Sequence, residues 1–304
     1  MTARLGLRTA LLLTVPPLMW AGNAVVGRLL VGQVPPVGLN AVRWALVALL
    51  LLPFGWRVLR QPGVLRARAG HLALLGLAGV GTYNALQYMA VQTSTPLNIT
   101  LIASSMPVWM LAVGALCFGV RPRRAQLGGA VLSLGGVALV LSQGHLERLL
   151  QVRLVPGDLL MLAATASWAF YSWMLAKPPP SMQGEARPAW HWAEFLFVQV
   201  LFGLAWASAA AGVEAVVHPV AWQPSAGVAA ALAFIVLGPS LAAYYCWGRG
   251  VAEAGPATAA FFTNLTPVFA GILQALLLGE PPRWFHLAAF ALIAAGIAVT
   301  SRAR

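Results

Sequence analysis

Acidic side chains are scarce: seven Asp and Glu stand against 19 Lys and Arg in 304 residues. Only Glu194 and Glu253 fall near the apolar runs, so no buried carboxylate pair is at hand for a proton relay or for acid–base chemistry. Cysteine is nearly missing. Cys117 and Cys246 both lie inside apolar runs, which argues against a disulfide framework and against a metal site. The five histidines sit mostly in loops or at the ends of apolar runs, and no spacing among them matches a metal-ligand set. A Gly-rich phosphate loop is absent, so nucleotide binding of that kind is not indicated. Period-two alternation is also absent, which leaves helices as the way to satisfy a backbone in lipid. No small-residue cleavage site follows the first apolar run, which is read as a retained helix and not as a removable leader. Nothing here points to an enzyme or calls for a cofactor.

Apolar residues are what the chain has in quantity. They make up 60% of it, charged residues only 9%, and mean hydropathy is +0.79. A soluble protein of this length has no interior large enough to hide that surface. Apolar runs recur almost end to end, and about 20 residues at about 1.5 Å each cross a bilayer core. The fold class expected is all-α, a polytopic membrane protein with ten transmembrane helices. They are placed at roughly 10–31, 37–56, 71–91, 96–118, 124–142, 157–177, 190–211, 226–252, 256–278 and 283–301. The tight links at 32–36, 92–95, 119–123, 253–255 and 279–282 force neighbours to run antiparallel. The net charge of +12 would suggest nucleic acid in a soluble chain; here arginine is read as marking cytoplasmic loops. With the amino terminus inside, Arg4, Arg8, Arg57, Arg60, Arg66, Arg68, Arg121, Arg123, Arg124, Lys177, Arg187, Arg249, Arg302 and Arg304 fall inside. Only Arg148, Arg153 and Arg283 fall outside. The expectation is a multi-pass protein of a bacterial inner membrane with both termini cytoplasmic. Its partners would be the bilayer and a small-molecule solute, with no nucleic acid and the monomer as the unit.

The chain also repeats itself. The differences 256 − 96, 267 − 107, 279 − 119, 282 − 122 and 296 − 136 all equal 160, matching Pro with Pro and Gly with Gly in one ungapped frame. Val91 and Val251, Val108 and Val268, and Arg123 and Arg283 keep the same register. This reads as an internal duplication. A five-helix unit repeated once must appear in opposite orientations, because five is odd. The break at 92–95 is then outside and its twin at 253–255 inside. Inverted repeats of this kind are a common build for secondary transporters, with the solute near the midplane between the halves. Duplication also occurs in membrane scaffolds and channels, which stand as alternatives, although no ring of charge suited to a channel filter is visible.

The motifs then resemble those of the EamA family of the drug/metabolite transporter superfamily, over nearly the whole chain and in two copies. The first copy carries W-x-x-N (Trp20, Asn23), Pro35-Pro36 before a helix with Arg43-Trp44, YNALQYMAV (Tyr83–Val91), Pro96, Asn98 and SSMPV (Ser104–Val108). The second carries PGD (Pro156–Asp158) leading into Trp168, the stretch Ala252–Pro282 with its Pro-Val and Leu-Gly-Glu-Pro, and Gly296. Val120 stands in the first copy where Glu280 stands in the second, so that acid is not a symmetric feature. The resemblance implies two repeats, residues 1–145 and 146–304. It implies a ten-helix exporter or exchanger of small metabolites, amino acids among them, working by alternating access.

Polar groups inside a membrane are costly and mark candidate sites. Arg43 lies about six residues into the predicted second helix. It reads either as a handle for a carboxylate, which a guanidinium grips in bidentate fashion, or as a snorkelling or structural arginine bonded to helix-end carbonyls. Arg28 reads as a snorkelling anchor. In the third helix Tyr83 and Gln87 share one face, as do Asn84 and Tyr88. Trp20 and Trp168 fall well inside their spans, where an interfacial belt does not explain them. The substrate-binding set expected is Trp20, Asn23, Arg43, Tyr83, Gln87, Trp168, Tyr171, Tyr244, Trp247 and Asn264. Helices one, three and four would face six, eight and nine across an aromatic-lined cavity. Pro107 and Pro267 are expected to bend helices four and nine. Gly114, Gly128, Gly135, Gly271 and Gly296 are expected to admit close helix contacts.

Overall fold

The computed structural model describes residues 5–94, 96–278 and 283–302, and among these it is built of helices with no strand. The first half holds α1 (Leu7–Leu29), α2 (Pro36–Gly55), α3 (Pro62–Arg66), α4 (Ala69–Gly76), α5 (Tyr83–Thr93), α6 (Pro96–Ser104), α7 (Met106–Phe118) and α8 (Arg124–Leu141). The second holds α9 (Pro156–Ala176), α10 (Trp192–Val217), α11 (Ala226–Ile235), α12 (Ala243–Ala254), α13 (Pro256–Thr263), α14 (Thr266–Leu278) and α15 (Trp284–Arg302). The motif Gly279–Pro282, with Glu280, lies outside the described residues, as do Arg4 and Arg304.

Among the described residues eight helical runs are long and apolar enough to cross a bilayer. A ninth follows if α6 and α7, bent by 44° at their junction, count as one span. The other predicted span, 71–91, is helical from Ala69 to Thr93 but is not among the apolar runs. Its second half carries Asn84, Gln87 and Gln92, which lowers its apolar character.

Two long helices are interrupted by π turns. Leu77–Thr82 joins α4 to α5, and Val236–Ala242 joins α11 to α12. Both end in the duplicated register, since 242 − 82 = 160. A π turn releases backbone carbonyls from the regular ladder, and such turns gather at functional sites. The proline positions also match. Pro107 sits in the first turn of α7, where its missing N–H costs nothing, and the chain breaks just before it. Pro267 is likewise the second residue of α14. Carbonyls near these breaks accept from side chains: Ser104 Oγ donates to Thr100 at 2.7 Å and Ser105 Oγ to Ile102 at 2.5 Å. In the second half Thr263 Oγ1 does this, donating to Ala260 at 2.6 Å.

The expected glycine contacts shift by one residue in α8. A Cβ on Gly129 would meet Thr300 Oγ1 at 2.2 Å and the Gly296 carbonyl at 2.8 Å, while one on Gly128 or Gly135 would meet open space. Gly136 likewise faces the Ala289 carbonyl at 2.8 Å. One residue is about 100° of helix at 3.6 residues per turn, enough to move a glycine from the packed face to the open one.

Two hydrogen-bond clusters fix opposite ends of the bundle. Near the start of α1, Thr9 Oγ1 donates to Glu253 Oε2 at 2.6 Å, and Arg249 lies 3.8 Å from the same carboxylate. At the other end of α1, Arg28 Nη1 donates to the Val91 carbonyl at 3.1 Å. It thus caps a helix end from an exposed position. Close in sequence to Val91, Ser94 donates to the buried carboxylate of Asp158 in the first turn of α9. Asn98 Nδ2 donates to the same carboxylate at 2.7 Å, and the Val155 backbone N–H donates to it at 2.8 Å. Asp158 is 1% exposed, so it joins Glu194 as an acid held inside the protein.

Candidate functional site

Trp168 of α9 stands at the centre. Five rings surround it: Trp20 at 5.1 Å, Tyr83 at 5.1 Å, Tyr171 at 5.0 Å, Tyr244 at 5.2 Å and Trp247 at 5.6 Å between centroids. They come from α1, α5, α9 and α12. The spacing explains why. Trp168 and Tyr171, and Tyr244 and Trp247, are each three apart and share a helix face. Edge and tilted ring pairs at these distances contribute about 0.5–1.5 kcal/mol each beyond their burial. Polar tips are tied back: Trp247 Nε1 donates to Ser172 Oγ at 3.0 Å and Tyr171 to Gln199 Oε1 at 3.0 Å. The indole N–H of Trp168 is buried and has no acceptor.

A cavity of about 60 Å³ opens against this cluster. Trp20, Tyr83, Gln87 and Trp168 line it, together with Thr100 and Ser104 of α6 and Thr263, Thr266 and Pro267 from the α13–α14 break. Helices one, three, four, six and nine of the expected plan therefore meet here, and Trp247 and Tyr244 bring in helix eight through the ring cluster. Thr100, Ser104, Thr263 and Thr266 are not in the expected substrate-binding set, although Ser104 and Thr266 stand close to the two prolines in the sequence. Their signal was the pair of proline breaks, because an interrupted helix exposes short polar side chains where it bends.

Arg43 lies behind this cavity and is 0% exposed. It neither snorkels nor caps a helix end. Nε donates to Ser240 Oγ at 2.6 Å, and Nη1 donates to Asn84 Oδ1 at 2.8 Å and to the Tyr88 hydroxyl at 3.1 Å. Tyr88 passes the chain on to Asn23 Oδ1 at 3.1 Å. Asn84 Nδ2 donates to the Tyr244 hydroxyl at 3.4 Å, which itself donates to the carbonyl of Gly79 in the first π turn. Ser240 belongs to the second π turn and donates to Ile235 at 2.7 Å. Asn40 Nδ2 reaches the Val80 carbonyl at 3.1 Å. Both π turns are thus held by one network around a buried cation. The two faces of α5 divide the work: Tyr83 and Gln87 line the cavity, whereas Asn84 and Tyr88 hold Arg43.

Nine of the ten expected residues fall in these two adjoining regions. Asn264 does not: it donates to Ser133 Oγ of α8 at 3.0 Å, outside the cavity lining. It sits at the α13 C-cap, and its Oδ1 is buried without a partner.

The EamA-like transporter family model matches residues 7–142 and again 155–302. An uncharacterized transporter of Archaeoglobus fulgidus is 27% identical over 97% of each chain. The aromatic amino acid exporter YddG of Ancylobacter novellus is 25% identical over 89% of each chain. A solved structure, known only as a crystal structure of a protein, superimposes with a TM-score of 0.71 over 96% of each chain at 23% identity, a likeness of fold alone. The chain belongs to the EamA-like transporter family and is a multi-pass membrane protein.

Proposed function

We propose that the protein is a secondary transporter that exports or exchanges small amphipathic metabolites, with amino acids and their relatives as the leading class. It sits in a bacterial inner membrane with both termini cytoplasmic, as ten spans in two inverted halves. The observation that carries the reading is the cavity at Trp168, walled by aromatic rings and by short hydroxyls at two helix breaks. Such a lining suits a solute with an apolar body and a few polar groups. The similarity to an aromatic amino acid exporter agrees with that chemistry. At about 60 Å³ the cavity is far below the ~300 Å³ of an ordinary ligand pocket, so the halves must part to admit a solute. The fastenings at Asp158 and at Glu253 support the inverted plan. Each ties the start of one half's first helix to the link after the other half's third. Released in turn, they would give access from one side and then the other.

Substrate-induced counterflow in proteoliposomes tests this. Labelled phenylalanine should enter vesicles preloaded with unlabelled phenylalanine, and Tyr83→Ala should lower that flux at least severalfold while the protein stays folded by size-exclusion chromatography. Flux without counterflow would favour a channel. Wild-type flux through Tyr83→Ala would remove the cavity from the transport path. Labelling of introduced cysteines at 92–94 and 253–255 should come from opposite sides of the membrane.

A further inference from the structure

Arg43 presents a charge that no anion among the described residues answers; its guanidinium lies 5.1 Å from the centroid of the Trp44 ring, which offsets part of the charge but supplies no counter-charge. Its three hydrogen bonds go to neutral oxygens, of Ser240, Asn84 and Tyr88. Nη2 is fully buried with no acceptor. Among the described residues no carboxylate lies within ion-pair distance of it. A buried guanidinium without a counter-charge is strongly disfavoured, and more so at membrane depth. Such a group persists where a partner arrives from elsewhere. Trp168 Nε1, in the wall of the adjoining cavity, is a second buried donor without an acceptor. Tyr244 bridges the two regions, with its ring against Trp168 and its hydroxyl bonded to Asn84, which holds Arg43. Both unmet groups are donors, so the missing partner is an acceptor. One of them is cationic, so that acceptor is an anion.

We propose that Arg43 and Trp168 form the recognition site for the carboxylate of the transported solute. The guanidinium takes the charge through Nη2, and the indole N–H helps to hold the acceptor end in place. This rests on the transport reading and narrows it to solutes carrying a single carboxylate on an apolar or aromatic body. One positive charge held by neutral partners suits a monoanion; a phosphate dianion would call for further cations in the network. The neutral partners have a role of their own. They hold the planar guanidinium in position while the site is empty, so little order is lost when the anion arrives.

The test compares phenylalanine, phenylalaninamide and phenethylamine, which share a ring and differ at the carboxylate. In purified protein, quenching of tryptophan fluorescence reads binding. In proteoliposomes, counterflow reads transport. Wild type should favour phenylalanine over both analogues by about tenfold to a hundredfold, the range for a hydrogen bond to a charged group. Arg43→Gln should erase most of that preference, and Arg43→Lys should keep part of it, since the charge stays and the fork is lost. Trp168→Phe should weaken phenylalanine binding severalfold while leaving the preference over the amine largely intact. The preference is a ratio within one protein sample, so a partly misfolded variant still reports it. If wild type takes the amide as readily as the acid, or if Arg43→Gln keeps the wild-type ratio, Arg43 is a structural cation and the proposal falls while transport stands. If no solute shows counterflow and none binds, the transport reading falls and the proposal falls with it.

Discussion

The two ends of the bundle are fastened in the same way and to different strengths. At one end the buried carboxylate of Asp158 accepts from Ser94, Asn98 and the Val155 amide. At the other, Glu253 accepts from Thr9 at 2.6 Å, has Arg249 at 3.8 Å among its partners, and keeps a side chain that is 31% exposed. A carboxylate that accepts several hydrogen bonds away from water is a strong tie, because removing it leaves buried donors unmet. A carboxylate shared with water and an exposed arginine is a weak one. The comparison teaches that the same kind of tie sits away from water at the Asp158 end and is open to water at the Glu253 end.

The largest effect expected follows from breaking the stronger tie. Asp158→Ala should lower unfolding stability by about 3 kcal/mol, since it leaves three donors without their acceptor. Thermal or denaturant melting in detergent measures it, and a variant that melts with wild type would contradict the unequal strengths. Hydrogen exchange should rise in 90–98 on the same substitution. At the more exposed end Glu253→Gln keeps an oxygen for Thr9 and loses the charge that faces Arg249. Its cost should stay below about 1 kcal/mol, as for exposed ion pairs. A loss at Glu253 equal to that at Asp158 would erase the difference between the two ends.

The constant offset of 160 residues marks the proline breaks of both halves in the sequence itself, because proline and glycine write backbone geometry directly into sequence. The π turns at Leu77–Thr82 and Val236–Ala242 end at the same offset and carry no such mark in the sequence. Their composition of Leu, Val, Ala and Gly is that of any membrane helix, and only side chains from elsewhere that meet their carbonyls give them away. The aromatic residues of the site were legible through their depth in the spans. Arg43 was legible as an oddity, but its environment was not: Ser240 lies 197 residues away and Asn84 lies 41 away. No local pattern encodes such a meeting. The division of α5 into a cavity face and an arginine face needed the positions of its neighbours, as did the difference between Gly128 and Gly129 in α8. Asn264 is an amide at a similar depth, and residue type alone does not distinguish a place in the cavity lining from a tie to Ser133.

The smallest change sharpens the comparison most. Thr9→Val keeps the shape of the side chain and removes only the hydroxyl that donates to Glu253 at 2.6 Å. Glu253 is partly solvated and keeps Arg249, so stability should fall by only about 0.5–1 kcal/mol. The informative reading is where the effect appears. If the two fastenings merely add to stability, exchange rises locally at 249–255 and nothing changes at the Asp158 end. If they belong to one two-state device, a looser Glu253 end shifts the population toward the state that is open there and closed at the far end. Exchange in 90–98 then falls below its wild-type rate, although no atom near it has been altered. Protection gained at one end by loosening the other is a result that static packing does not produce, and its absence would separate two independent clasps from an alternating pair.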